Sequence, residues 1–307
     1  MNQVEAFRHF LEIEERRTPQ TVRAYLADVR MLREYLDADT QPQHLRGRDW
    51  ELITAADLRG FLAATRPKPH RVHRLIASWV KFWAFLRDVQ HVPGIGNPPG
   101  EIKRPKLPGR LPKYLETPDI AKLLDAAHRD KSPARGLRNW AFLAFLYGTG
   151  ARVGEVVSLT FDRIAYQDGL PVSVRVIGKG DKERTVPLSA TAQRALVQWL
   201  RVRRVEGHPT SPYVWSYLTG KQRGKPFSIR TVQAMTSATA KRAGLDPAKV
   251  SPHKMRHSFA TALVEQGRSL HEIGTILGHE NPATTAIYGR VKARQLEQAA
   301  AALPDVL

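Results

Sequence analysis

Six residues in the second half of the chain carry groups that can do chemistry. Arg152 stands in TGARVGE, behind a glycine-bounded turn, and Lys179 stands in GKGDKER. His253 and Arg256 belong to HKMRH, while His279 and Tyr288 belong to LGHENPATTAIYGR. Taken singly, each has an ordinary reading. An arginine sits on a surface, a lysine in a turn, and a tyrosine packs its ring and tethers its polar tip. Taken together, they form an inventory for phosphodiester transfer. Two arginines grip the nonbridging oxygens of a phosphate through their forks. A lysine and a histidine move protons. A second histidine donates a hydrogen bond to the phosphate, and a tyrosine hydroxyl attacks phosphorus. Charge that builds on the equatorial oxygens is met by fixed cations, so the set calls for no metal and no cofactor. HKMRH has two histidines four apart but lacks HExxH and further ligands, which argues against a zinc site. GKGDK lacks the GxxxxGK[ST] pattern of a nucleotide-binding loop.

The composition points to a partner for that chemistry. The 307 residues carry a net charge of +19, with a pI near 10.5, which favours a polyanion and above all nucleic acid. Residues 1–90 hold 15 Lys/Arg against 12 Asp/Glu, so the remainder holds 33 against 17. The excess is spread over the second part and not gathered in a tail, as expected of a folded surface that faces phosphates. Cysteine is absent, which excludes disulfides, thiolate metal sites and a cysteine nucleophile. The apolar run at 140–147 is too short to span a bilayer, and the N-terminus lacks a signal-peptide core. A soluble, cytoplasmic protein with no membrane partner is the expectation.

The elements that must hold these residues are mostly helical. Residues 91–112, HVPGIGNPPGEIKRPKLPGRLP, contain six prolines and four glycines and read as a linker. Its Lys103, Arg104, Lys106 and Arg110 are candidate contacts to a phosphate backbone. Before it, residues 1–90 read as a four-helix domain. Thr18-Pro19 and Thr54 start two of the helices, and Val22, Tyr25, Val29, Leu32 and Leu36 form one apolar stripe. After it, residues 113–307 read as a mostly α domain. Helices are expected from a Thr117-Pro118 cap, over 140–147, 153–159, 191–205, 229–243, 254–265 and 270–277, and near 291–302. Strands are expected at 172–177 and 185–188, joined by GKGDKE.

At this point a resemblance becomes specific. TGARVGEVVSLT, HKMRHSFATALVEQG and LGHENPATTAIY resemble the motifs of the tyrosine recombinases, with three residues from His253 to Arg256, 23 more to His279 and nine more to Tyr288. NPPGEIKRPKLPGRLPKYLETPDIAKLL extends the likeness through the linker, and TPQTVRAYLADVRMLREYL is similar to the start of the family's core-binding domain. The subgroup it most resembles is the bacterial Xer recombinases. It departs from them at Gly289-Arg290, where Thr-His is usual, and at Ala262, where histidine is usual.

The resemblance implies a mainly α fold: a four-helix, SAM-like core-binding domain and a catalytic domain with a small antiparallel β element, closing on DNA as a C-shaped clamp. It implies that Tyr288 attacks to form a 3′-phosphotyrosyl link, with His253 as base and Arg152 and Arg256 as the clamp. Lys179 would protonate the leaving 5′ oxygen, and His279 would bond the phosphate. Glu155, one turn after Arg152, is expected to be an orienting or structural carboxylate and not a catalyst, and His257 to be supporting structure. The implied partners are double-stranded DNA with a specific recombination site and a homo- or hetero-tetramer of recombinases on two sites, docked through the C-terminal tail. A DNA translocase is a further candidate partner. The implied function is site-specific DNA recombination, cutting and rejoining through that phosphotyrosyl link and a Holliday junction, in chromosome dimer resolution, with a phage or plasmid integrase and a type IB topoisomerase-like relaxing enzyme as alternatives.

Overall fold

The computed structural model describes residues 2–38, 41, 46–106, 114–130, 132–178, 182–206, 210–278 and 285–289. The chain divides into two compact units, residues 1–109 and 110–307. Among the described residues, no helix is long and apolar enough to cross a membrane.

The first unit is helical: α1 (Gln3–His9), α2 (Pro19–Asp37), α3 (Ala55–Thr65) and α4 (Pro69–Asp88). Local chemistry sets the starts. Thr18 accepts from the Thr21 N–H with Pro19 in the first turn, and Thr54 and Asp57 cap one another reciprocally. The apolar stripe of α2, with Val22, Val29, Leu32 and Leu36, meets Trp79, Phe82 and Leu86 of α4 in one core. Asp28 interrupts that stripe and is fully buried, held by Ser78, Arg71 and Arg74 of α4. The stretch expected to be a linker is partly folded into this unit. Ile95 and Ile102 are buried in its core, and Pro98–Glu101 forms a 3-10 turn. Prolines and glycines forbid a long helix there, but they do not stop two isoleucines from anchoring the chain. Lys103, Arg104 and Lys106 are exposed; Arg110 lies outside the described residues.

The second unit contains α5 (Thr117–His128), α6 (Pro133–Thr149), α7 (Val153–Val157), β1 (Ile164–Gln167), β2 (Leu170–Ile177), β3 (Glu183–Pro187), α8 (Ala190–Glu206), α9 (Ile229–Arg242), α10 (Pro252–Glu265) and α11 (Leu270–Leu277). Thr117 is the first residue of α5 and not its cap, which is Glu116. The apolar run at 140–147 is the buried middle of a longer α6, around which α5, α8 and α10 pack. The sheet has three antiparallel strands in the order β1-β2-β3. Strand β1 was not expected, yet its turn is written in the sequence. Asp168 and Gly169, both at positive φ, join Gln167 to its partner Leu170, as an Asp-Gly hairpin requires. The helix expected near 291–302 lies outside the described residues.

Candidate active site

Three helix ends converge on the cleft that the second unit offers for chemistry. Helix α6 closes at Gly150, whose φ of 61° is left-handed and where a Cβ would collide with the Phe259 ring. The chain then turns through Ala151 and Arg152 into α7. Helix α10 starts with Ser251 accepting from the Lys254 N–H and Pro252 in the first turn, so His253, Arg256 and His257 fall in its first two turns. Helix α11 closes at Gly278, φ 65°.

The two arginines are fixed by those ends. A helix C-terminus leaves carbonyls without intrahelical partners and carries partial negative charge. Arg256 donates to Gly150 O at 2.6 Å and to Leu277 O at 2.8 Å, capping α6 and α11 together. Arg152 donates to Gly278 O at 3.2 Å and to Glu155 at 2.9 Å. A guanidinium has five N–H groups, so each arginine keeps others for a ligand. Arg152, Glu155, Gly178, Pro252, His253 and Arg256 line a cleft of about 510 Å³.

Glu155 is the hub beneath. Arg184 of β3 grips it bidentately, 2.7 Å to each oxygen, and the Arg152 N–H adds a bond of 2.8 Å. Burial pushes the Glu155 carboxyl up, but Arg184 and Arg152 outweigh it and hold it below the usual carboxylate range. Arg184 also lies against Gly278, where a Cβ would stand 2.7 Å from its Cδ and Nε. One ion pair therefore joins β3, the Arg152 turn and the end of α11. Glu155, expected to be an orienting or structural carboxylate, contacts both Arg152 and Arg184. Arg184 was missed. Its position in GKGDKER gives no sign of a partner 29 residues earlier.

Tyr288 lies in a 3-10 turn, Ala286–Tyr288, and is 1% exposed. Its ring packs with Ala260, Val264, Ile273 and Leu277 in a small cluster apart from the main core. Gly274 lets that turn come close, since a Cβ there would stand 3.0 Å from Thr285 Oγ1. The hydroxyl meets His257 Nδ1 at 2.5 Å, and His257 Nε2 meets His253 Nε2 at 3.1 Å. His257 was expected to be supporting structure; here it stands between the tyrosine and the cleft-lining His253. The signal was the i, i+4 spacing of the two histidines, which puts them on one helix face.

Electrostatics make this chain neutral at rest. Burial pushes the Tyr288 phenol up to about 12, against the pull of Arg256. Burial, His253 and Arg256 bring His257 down to about 4. Burial, Arg256 and Arg152 lower His253. Arg256 itself falls to about 10 through burial and the neighbouring Arg152. Lys179 and His279 lie outside the described residues, although their neighbours Gly178 and Gly278 border the cleft or accept from Arg152. Among the described residues, no group of three or more His, Asp or Glu side chains is arranged to hold a metal ion.

Comparisons with known proteins agree with the family resemblance. Residues 113–295 match the phage integrase family, and residues 4–90 match the phage integrase N-terminal SAM-like domain. Tyrosine recombinase XerD of Listeria innocua serovar 6a is 34% identical over 300 residues, covering 96% of this chain and 95% of the relative. Tyrosine recombinase XerC of Proteus mirabilis is 31% identical over 290 residues, covering 93% and 88%. Among solved structures, the XerH site-specific recombinase bound to its difH substrate before cleavage superposes with a TM-score of 0.71 at 22% identity, covering 92% of this chain and 79% of that one. A lambda integrase dimer bound to a COC′ core site superposes with a TM-score of 0.64 at 16% identity, covering 92% and 95%. At such identities these two speak for the fold.

Proposed function

Since the chain belongs to the phage integrase family, as a Xer-like tyrosine recombinase that cuts and rejoins DNA, we propose that Tyr288 is its nucleophile and that the cleft between Arg152, His253 and Arg256 receives the scissile phosphate. The observation that carries this reading is the convergence of two arginines and a histidine on one cleft, with a hydrogen-bonded path from that histidine to the tyrosine. In the reaction, the Tyr288 oxygen bonds to phosphorus as the P–O5′ bond breaks. The product is a 3′-phosphotyrosyl link and a free 5′-hydroxyl. Arg152 and Arg256 balance the charge that grows on the nonbridging oxygens. Lys179 is proposed to protonate the 5′ oxygen, and His279 to donate to the phosphate. The covalent link conserves the phosphodiester energy, so rejoining to a 5′-hydroxyl of a partner duplex needs neither ATP nor metal.

The substrate in this reading is a pair of specific recombination sites. Both units contact the duplex in this reading, with Lys103, Arg104, Lys106 and Arg110 as its contacts to the phosphate backbone, and four protomers, of one or two kinds, join two sites. The relatives named XerD and XerC support a role in chromosome dimer resolution inside the cell, with a DNA translocase as a candidate activator. Integration of a mobile element would use the same active site.

Covalent capture tests the proposal. The wild-type chain is incubated with a random-sequence duplex pool carrying a nick that lets the cleaved end diffuse away. SDS-resistant adducts are isolated and their DNA sequenced. Recovery of a recurrent duplex, linked through Tyr288 in the presence of a chelator and lost in Tyr288→Phe, supports it. An adduct that survives Tyr288→Phe, or none from the wild type, overturns it. A supercoiled plasmid bearing two captured sites then yields recombinants, whereas relaxation independent of the sites would assign a topoisomerase.

A further inference from the structure

The row Tyr288, His257, His253 contains a group that the proposed reaction has not used. His257 touches the reacting oxygen on one side and the cleft-lining histidine on the other. The direction of the hydrogen bonds follows from satisfying every proton. The Tyr288 hydroxyl has no second partner among the described residues. If it only accepted from His257, its own proton would find no acceptor among the described residues. So the phenol donates to His257 Nδ1, His257 carries its proton on Nε2, and that N–H donates to His253 Nε2. All three groups are then neutral and each bond is used.

We propose that His257 is a catalytic proton relay that moves the phenolic proton of Tyr288 to His253, and that this transfer releases the nucleophile from its buried seat. The step rests on the role of Tyr288 given above, and it balances in two hops. The Tyr288 O–H bond breaks as an N–H bond forms at His257 Nδ1. The His257 Nε2–H bond breaks as one forms at His253 Nε2. His257 ends neutral, His253 becomes an imidazolium facing the cleft, and Tyr288 becomes a phenolate. A bound phosphate draws the proton to His253, because the imidazolium meets an anion there. With the cleft empty, the same proton would face Arg152 and Arg256, so the chain stays neutral. The phenolate cannot remain among Ala260, Val264, Ile273 and Leu277, since an unpaired charge is strongly disfavoured in an apolar seat. It is favoured beside the arginines of the cleft. Substrate binding thus both charges and exposes the nucleophile. The ionisable groups acting on the two histidines are Arg256 of the same helix, Arg152 of the α6–α7 turn and, across from them, Tyr288.

The test separates conduction from support. In His257→Asn, the amide oxygen stands near the old Nδ1 position and can accept from Tyr288, but an amide does not pass a proton on. The first readout needs no DNA. Tetranitromethane nitrates tyrosinate, and peptide mass spectrometry reads Tyr288 alone. Inorganic phosphate is expected to speed Tyr288 nitration about tenfold in the wild type and not in His257→Asn. The second readout uses the captured duplex. His257→Asn is expected to bind it normally and to cleave about a hundredfold more slowly, with a rate that climbs with pH as hydroxide replaces the relay. Where His257→Asn does not fold, His257→Gln is used in its place. Equal phosphate-stimulated nitration in variant and wild type overturns the relay, as does cleavage at the wild-type rate with an unchanged pH profile. A wild type that forms no adduct defeats the proposed function, while the nitration result still decides the relay.

Discussion

Asp28 in the first unit and Glu155 in the second are both buried against two arginines, and the two carboxylates behave in opposite ways. Asp28 of the first unit is fully buried, yet both arginines approach the same oxygen, Arg71 at 2.7 Å and Arg74 at 3.0 Å, and the other oxygen takes only Ser78. Burial therefore wins, and the Asp28 carboxyl lies above its ordinary range despite Ser78 and Arg74. Glu155 of the second unit is 4% exposed but receives two bonds on each oxygen, and its partners win. The difference lies in geometry and not in the number of arginines. A fork that meets both oxygens fixes two guanidiniums in space, while two arginines crowding one oxygen make a junction between helices. The site carboxylate is of the first kind because the cleft needs Arg152 held still.

The comparison breaks most visibly at Glu155. Glu155→Gln leaves Arg184 and Arg152 without their shared counter-charge. Removing one partner of a buried pair costs about 3 kcal/mol of stability. Denaturant unfolding of the second unit should read that loss, and phosphotyrosyl formation on the captured duplex should fall by about a hundredfold. Normal adduct formation by a folded Glu155→Gln would end the orienting role.

Gly278→Ala is the next largest. A left-handed residue bearing a Cβ costs about 1 kcal/mol, and here that carbon also presses on Arg184. The expected outcome is a loss of about 1–2 kcal/mol with a drop in cleavage, and Gly169→Ala serves as control. Gly169 has a φ of 76° and open space around it, so it should lose stability from the backbone alone and keep its cleavage rate.

The pH response sharpens the contrast. The folded pKa of Glu155 is depressed, so its stability is present above the unfolded value near 4.3 and is lost as pH falls through the folded value. The folded pKa of Asp28 is raised, so its contribution is present below the unfolded value near 3.9 and is lost as pH rises through the folded value. Melting curves carried from pH 7 down to about pH 2, read with fluorotryptophan signals in each unit, should show Glu155→Gln flattening the acid loss of the second unit below the unfolded carboxylate value. Asp28→Asn should flatten the opposite slope in the first.

The smallest effect is that of Asp28→Asn at neutral pH. Arg71 and Arg74 both reach solvent, so the change is expected to stay within about 1 kcal/mol and to leave cleavage by the captured duplex assay unchanged. A loss as large as that of Glu155→Gln would erase the distinction between the two carboxylates.

What was legible in the sequence followed the range of its signals. The stripe on α2, the Thr18 and Thr54 starts and the α11 boundaries are local, set by neighbours within a turn or two, and they were read directly. The Asp168-Gly169 turn was equally local but was passed over, and β1 with it. In the first part of the expected linker, proline and glycine describe the backbone, whereas Ile95 and Ile102 decide the packing. In the site, Arg152, His253 and Arg256 were named from type and spacing. Arg184 was not, since an arginine in a turn looks the same with or without a distant glutamate.

By itself, the sequence determined the helices, the glycine-closed helix ends, the charge that calls for a polyanion and the set of groups able to transfer a phosphodiester. Each of these depends on residue type and on spacings within one element. Only the tertiary structure decided that Glu155 is shared by Arg152 and Arg184, that Arg256 caps two helices at once, and that Tyr288 rests buried on His257. Those contacts join residues 29, 106 and 31 positions apart, through side-chain rotamers and packing that no local pattern encodes. The residue types supply a nucleophile and a grip; the packing keeps the one neutral and out of the cleft while it holds the other in place.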